Sequence, residues 1–330
     1  MSLNAAQKAP IIGHQKTLSF IAGAIEKGRL AHAYLFAGPE HAGKCTAAKE
    51  LARMLLTTAD LSTHPDFVFV ERERDAKTGK LHGSIVLEQI HALTGRLALG
   101  AFIGGRKVCI IDGAETMTTE AANALLKTLE EPRPNTVLIL LAAAEGGVLP
   151  TIASRCQVMR FGRTSTTEIA EALVARGATA SQAALYAGLS GGLPGKAIRY
   201  AENPAQLDDM YAVRESLLRW HALPVAERWA SIDKMIPAKT PFQEAGDLAT
   251  RVIDLASELL HDAMLAAAGA EATSGAAPMH ADVAARTAAW AQTAGLARLS
   301  RAAERVSDSR ALIDGNVNPR TALERLALSF

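Results

Sequence analysis

Hydrophobic and polar positions divide this chain into two regimes. In the first half, short continuous apolar runs at 34–37, 67–70, 108–111 and 137–141 alternate with stretches of helical spacing. Runs of this length with no polar alternation predict parallel strands covered on both faces. The stretches at 17–27, 44–55, 85–99 and the one that begins at Thr118 or Thr119 carry apolar residues three and four apart, which predicts helices. Gly28 is a C-cap for the first of them, and Pro132 with Pro134 stops the last. Residues 57–63 read as a polar loop and 71–83 as a charged excursion with a turn signal at Thr78-Gly79. Strands alternating with helices predict a three-layer α/β domain with a parallel sheet over residues 1–162.

Beyond Phe161 the strand signal ends. Three short helices are expected at 166–176, 181–189 and 196–202, the last two joined by residues 190–195, and they set off a small all-α segment over 163–205. Residues 206–330 read as a further all-α domain, with helical patterns at 207–221, 225–235, 242–268 and 282–306 and a Gly-, Ala- and Ser-rich loop at 269–277.

Chemistry concentrates where the first strand ends. Gly38-Pro-Glu-His-Ala-Gly43-Lys44 lies between a strand and a helix, the arrangement of a phosphate-cradling P-loop. Its next residue should be Ser or Thr, whose hydroxyl holds Mg²⁺, and Cys45 stands there instead. A thiol is a poor ligand for a hard cation. Thr46 cannot take over, because the next helical position points about 100° around the axis. Asp112 ends a buried strand downstream and fits a Walker-B aspartate, but Gly113 follows where an ATPase places its glutamate. Glu115 is the nearby carboxylate and reads as a solvated turn residue.

Charge and composition remove other classes. A net charge of +1 on 330 residues gives no global electrostatic case for nucleic acid. Hydrophobic content of 49% and charged content of 21% fit a globular protein, and the longest apolar run, 137–144, is too short for a membrane span. Residues 1–8 lack the apolar core of a signal peptide, so a cytoplasmic location is expected. Cys45, Cys109 and Cys156 have no metal-ligand spacing, and the histidines, His14 and His64 included, show no i, i+4 pair. Arg286, Arg298, Arg301, Arg305 and Arg310 make a stripe interrupted by Glu304 and Asp308, which reads as a solvated helix rather than a DNA-binding face.

Asn123-Ala-Leu-Leu-Lys-Thr-Leu-Glu-Glu-Pro132, Leu149-Pro-Thr-Ile-Ala-Ser154-Arg155-Cys156 and Asn316-Val-Asn-Pro-Arg-Thr-Ala-Leu-Glu324 together resemble subunits of the bacterial DNA polymerase III clamp loader. Ile12-Gly-His-Gln15 and Arg29-Leu-Ala-His-Ala-Tyr-Leu-Phe36 agree with that resemblance, which runs from about residue 11 to the end. It implies an AAA+ core, a three-helix lid and a helical collar through which five subunits assemble. It also implies that Arg155, in the Ser154-Arg155-Cys156 motif, reaches a neighbour's ATP as an arginine finger. Cys156 reads as a small packed residue.

Departures from the ATP-hydrolysing gamma/tau subunits form a set. Those relatives keep the P-loop hydroxyl and the Walker-B glutamate, carry a threonine where this chain has Ala142, Ala143 and Ala144, and place an arginine where it has Gly195. The family's four-cysteine zinc module has no counterpart in 57–63, so no zinc is expected. The resemblance thus implies a subunit that requires no cofactor. Gly38, Gly43, Lys44, Cys45, Thr46 and Asp112 would form a degenerate site open to ATP or ADP without hydrolysis. Its partners would be gamma/tau- and delta-type subunits in a hetero-pentamer, with the sliding clamp and primed DNA met through the assembly. The alternative is an active ATPase of the gamma/tau or DNA-remodelling kind.

Overall fold

The computed structural model describes residues 11–74, 82–103, 105–269, 278–315 and 317–330. The Thr78-Gly79 turn, the loop at 270–277, Asn316 and the reading of residues 1–8 lie outside the described residues.

The first half contains α1 (Gln15–Glu26), β1 (Ala33–Ala37), α2 (Lys44–Leu56), β2 (Phe67–Val70), α3 (Leu87–Ala98), β3 (Lys107–Asp112), α4 (Thr119–Glu130), β4 (Thr136–Ala142), α5 (Pro150–Ala153) and β5 (Gln157–Arg160). All strands pair in parallel in the order β2-β3-β4-β1-β5. Successive strand residues point to opposite faces. Tyr34, Phe36, Val108, Ile110 and Ile139 therefore pack with Ala47, Ala48 and Leu51 of α2. On the other face Leu35, Cys109, Ile111, Leu138 and Leu140 pack with Ile90 and Leu93 of α3 and Leu125 of α4. Those two apolar layers are the expected α/β sandwich. Thr118 caps α4 by accepting from the Ala121 N–H at 3.2 Å.

The second half continues with α6 (Thr166–Val174), α7 (Ala180–Leu189), α8 (Pro194–Glu202), α9 (Ala205–Trp220), α10 (Val225–Met235), α11 (Phe242–Ala267), α12 (Ala284–Ala294), α13 (Leu296–Asp314) and α14 (Pro319–Ala327). Contacts group the chain into two compact units, 1–178 with 192–196, and 179–191 with 197–330. In the second, Trp220 meets Phe330 edge-on and Trp290 stacks on it, each at 5.3 Å between ring centres. Ile253, Ala256, Leu259 and Leu260 line the buried side of α11 in the same core.

Two expectations are corrected, and one strand is added. The helix expected at 85–99 starts at Leu87, because Ile85 is drawn into a parallel bridge with Met117. The single helix expected over 282–306 is broken at Gly295, which separates α12 from α13. Strand β5 follows Arg155 with no apolar run to announce it, since two of its four residues, Gln157 and Arg160, are polar and exposed.

Candidate functional site

The carboxyl ends of β1, β3 and β4 bring the sequence-selected residues together. Ala37 pairs with Ala142 and Asp112 with Leu141 in register. The Gly38 N–H donates to Ala142 O and the Gly113 N–H to Leu141 O, both at 3.1 Å. Neighbouring strand ends thus place the P-loop, Asp112 and the alanines after β4 side by side, where ligands bind in open parallel sheets.

Gly43 precedes the first turn of α2, so Lys44 and Cys45 open the helix and Thr46 points to solvent. Lys44 Nζ donates to the loop's own carbonyls, Gly38 O and, at 2.8 Å, Pro39 O. Burial pulls the Lys44 pKa down, opposed by the charges of Glu115 and Asp112. The Cys45 thiol faces the Asp112 carboxylate. Burial and that negative charge push the thiol pKa up, so the group stays a neutral S–H. Asp112 is raised too, first by burial and then by Glu71 and Glu115, despite the Cys45 hydrogen bond and Lys44. A neutral thiol is a poor ligand for the hard Mg²⁺ ion, which prefers oxygen.

Gly113 sits at φ 83°, a left-handed conformation that strains any glutamate placed there. Glu115 is not the solvated turn residue expected of it. Its Oε1 accepts from the Ala143 N–H at 3.0 Å, and its Oε2 is shut away from solvent without a partner among the described residues. The short turn Ala114–Thr116 folds Glu115 back toward β4, a three-residue placement that no periodicity in the sequence reveals.

Residues before α1 and after β5 close the same region. His14 Nε2 lies 3.0 Å from Ala42 O, and its ring is 4.7 Å from that of Phe161. The ring packs on Phe161, and burial lowers the His14 pKa. At the start of α8 the Gly195 N–H donates to His41 O at 2.8 Å. The 57–63 loop is closed by Asp60, whose Oδ1 accepts from the N–H and hydroxyl of Ser62, 2.9 and 2.7 Å away.

Arg155 lies apart from these groups in its contacts. It follows α5, where Pro150 opens the helix, and its side chain is 37% exposed. One terminal nitrogen donates to Thr151 O and the other to Glu130 Oε1, each at 2.8 Å. Ser154 Oγ donates to Thr151 O at 3.2 Å. Cys156 packs against the core face lined by Ile152, and burial pushes its thiol up to about 11, in keeping with a packed residue. Of the arginine stripe, Arg286 pairs with Glu215 at 2.6 Å, Arg305 with Asp308 at 3.5 Å, Arg310 with Asp254, and Arg298 donates to Phe330 O. Those pairings fit a solvated helical surface. Among the described residues no helix is long and apolar enough to cross a membrane.

Residues 13–165 match a family model described as DNA polymerase III, delta subunit. The chain is 35% identical over 230 residues to DNA polymerase III subunit delta-prime of Pseudomonas aeruginosa, covering 61% of this chain and 66% of that protein. It is 33% identical over 157 residues to DNA polymerase III subunit tau of Escherichia coli, covering 45% of this chain and 24% of tau. The chain therefore spans just under two thirds of the first relative and about a quarter of the second. The crystal structure of a DNA polymerase III gamma subunit-related protein from Thermotoga maritima superposes with a TM-score of 0.52 at 19% identity, covering 94% of this chain and 98% of that one. That likeness concerns the fold alone.

Proposed function

We propose that the chain, similar to the delta-prime and tau subunits of bacterial DNA polymerase III, is a clamp-loader subunit of the delta-prime kind that does not hydrolyse ATP. It takes its place in a cytoplasmic hetero-pentamer with gamma/tau- and delta-type subunits. There it offers Arg155, with Ser154 beside it, to the ATP of a neighbouring subunit while the assembly loads the sliding clamp onto primed DNA. Gly38, Gly43, Lys44, Cys45, Thr46 and Asp112 retain the shape of a nucleotide site; ATP or ADP held there is not turned over, and neither zinc nor another cofactor is needed.

One observation carries this reading: the thiol of Cys45 occupies the metal-ligand position opposite Asp112. Hydrolysis needs charge neutralised on the transferring phosphoryl group and a placed water or base. Cys45 supports neither metal binding nor proton transfer, and Gly113 has no side chain to orient water. Arg155 retains the always-charged guanidinium suited to that developing charge. The runner-up, an intrinsic ATPase, draws on the placement of Glu115 in the field of Lys44.

Phosphate release separates the two. The purified chain with Mg-ATP is expected to show background turnover, and a rate of about 1 s⁻¹, ordinary for enzymes, rejects the proposal. In the reconstituted loader Arg155→Ala should depress DNA-stimulated ATPase by roughly 10³-fold, the scale of an arginine finger elsewhere. Wild-type activity in that variant removes the finger assignment.

A further inference from the structure

The ion pair between Arg155 and Glu130 has a geometry that a surface bridge would not need. Glu130 is the last residue of α4, and Thr151 belongs to the separate helix α5. Their oxygens take one terminal nitrogen each of the same guanidinium, both at 2.8 Å. Two elements thus hold a single fork from two sides. The neighbouring Glu131 is the C-cap of α4, its backbone already out of the helix at φ −119°, while Glu130 keeps its place on the last turn. The acidic pair in Leu129-Glu130-Glu131-Pro132 is therefore asymmetric, and Glu130 is the member joined to Arg155.

We propose that Glu130 is a positioning residue for Arg155, fixing the guanidinium before a neighbouring subunit's ATP is met. This rests on the arginine-finger reading given above. A free arginine side chain loses rotamer freedom when fixed, and the planar fork loses less when it is pre-organised. Bonds to Glu130 and Thr151 remove much of that freedom within the chain itself. The nitrogen bonded to Thr151 O also donates to Ser154 Oγ at 3.4 Å, so the second N–H of the nitrogen bonded to Glu130, together with Nε–H, is left for a phosphoryl oxygen. Glu130 is half exposed, and an exposed pair is weak enough to adjust as a neighbour docks. Its part is orientation, which changes the rate at bound ATP rather than the affinity for ATP.

A double-mutant cycle in the loader reconstituted with its gamma/tau- and delta-type partners, clamp and primed DNA tests this by phosphate release. Glu130→Gln should lower kcat about three- to five-fold, the scale of an exposed pair, with KM for ATP unchanged. In the Arg155→Ala background the same change should add nothing, because Glu130 would then have no guanidinium to hold. A merely structural role predicts equal losses in both backgrounds. Wild-type or faster turnover of Glu130→Gln, or a further loss on top of Arg155→Ala, overturns the positioning role while leaving the finger intact. Should Arg155→Ala itself turn over like wild type, the finger reading fails and this inference with it, an outcome distinct from the others. Thermal denaturation of Glu130→Gln should match wild type, since both side chains lie at the surface.

Discussion

The N–H of Gly195 donates to the carbonyl of His41 at 2.8 Å, joining the first turn of α8 to the middle of the P-loop. A Cβ at position 195 would lie 3.0 Å from that oxygen and 3.1 Å from the His41 Cα. The absent arginine at 195 is therefore more than a missing charge, because the P-loop backbone occupies the space beside it. Helix N-terminal N–H groups need partners outside the helix, and His41 supplies this one.

Gly195→Arg, which installs the residue implied there by the resemblance to gamma/tau subunits, should accordingly fail to create turnover and should destabilise the fold. Backbone atoms cannot swing aside as a flexible side chain can, so overpacking of about 1–3 kcal/mol is expected. Thermal unfolding should report a lower Tm, and phosphate release should stay at background. A variant as stable as wild type would show that His41 yields freely.

Cys45→Thr restores the hydroxyl that a P-loop presents to Mg²⁺, yet phosphate release should remain at background. The position after Asp112 is still glycine, and its φ of 83° strains a glutamate, so even Cys45→Thr with Gly113→Glu is expected to fold less stably and to turn over no ATP. Metal-dependent hydrolysis by the single variant would place the whole defect at Cys45.

How far the sequence reveals all this depends on the length over which each signal runs. Strands β1 to β4 are legible because each is a run of four to seven contiguous residues, mostly apolar, and β1, β3 and β4 are covered on both faces. Strand β5 is not, since its two terminal residues, Gln157 and Arg160, are polar and exposed and leave no such run. The break at Gly295 is hidden by apolar spacing that continues on both sides of it. At the site, Gly38, Lys44, Cys45 and Asp112 declare themselves through motif spacing. Glu115, His41 and Glu130 do not, because what places them is a turn, a loop carbonyl and a contact between residues 25 positions apart.

Asp112 makes the pH dependence of stability depend on the pocket. Its folded pKa is raised above the ordinary 3.8, chiefly by burial. A raised acid contributes its full stability below the unfolded value and loses it as pH rises through the folded one. Asp112→Asn removes the penalty of an ionised carboxylate, so its denaturation midpoint in urea should exceed that of wild type at pH 7. The difference should vanish below pH 3.8, where both states of the wild-type carboxyl hold their proton. A variant less stable than wild type at pH 7 would mean that the negative charge beside Lys44 is worth more than its burial costs.

Arg214 and Asp282 give the opposite sign in the helical unit. Arg214 is nearly buried, with 5% of its side chain exposed, and donates to both carboxylate oxygens of Asp282 at 2.9 and 2.6 Å. Its guanidinium also lies over Tyr211, 4.8 Å from the ring centre. Burial pushes the Asp282 carboxyl up, but the hydrogen bonds and charge of Arg214 outweigh it and hold the pKa below the ordinary value. A depressed acid stabilises above its unfolded pKa and loses that contribution as pH falls through the folded one. Asp282→Asn should therefore cost about 1–3 kcal/mol at pH 7, less than a fully enclosed pair because Asp282 is itself half exposed. That cost should shrink below pH 3.8. Arg214→Met should cost less than Asp282→Asn, because it leaves an exposed carboxylate free to hydrate rather than a buried cation without its partner. Urea denaturation of both variants at pH 7 checks the order, and the reverse order would show that the Arg214 stem and its contact with Tyr211, rather than the ion pair, secure this part of the fold.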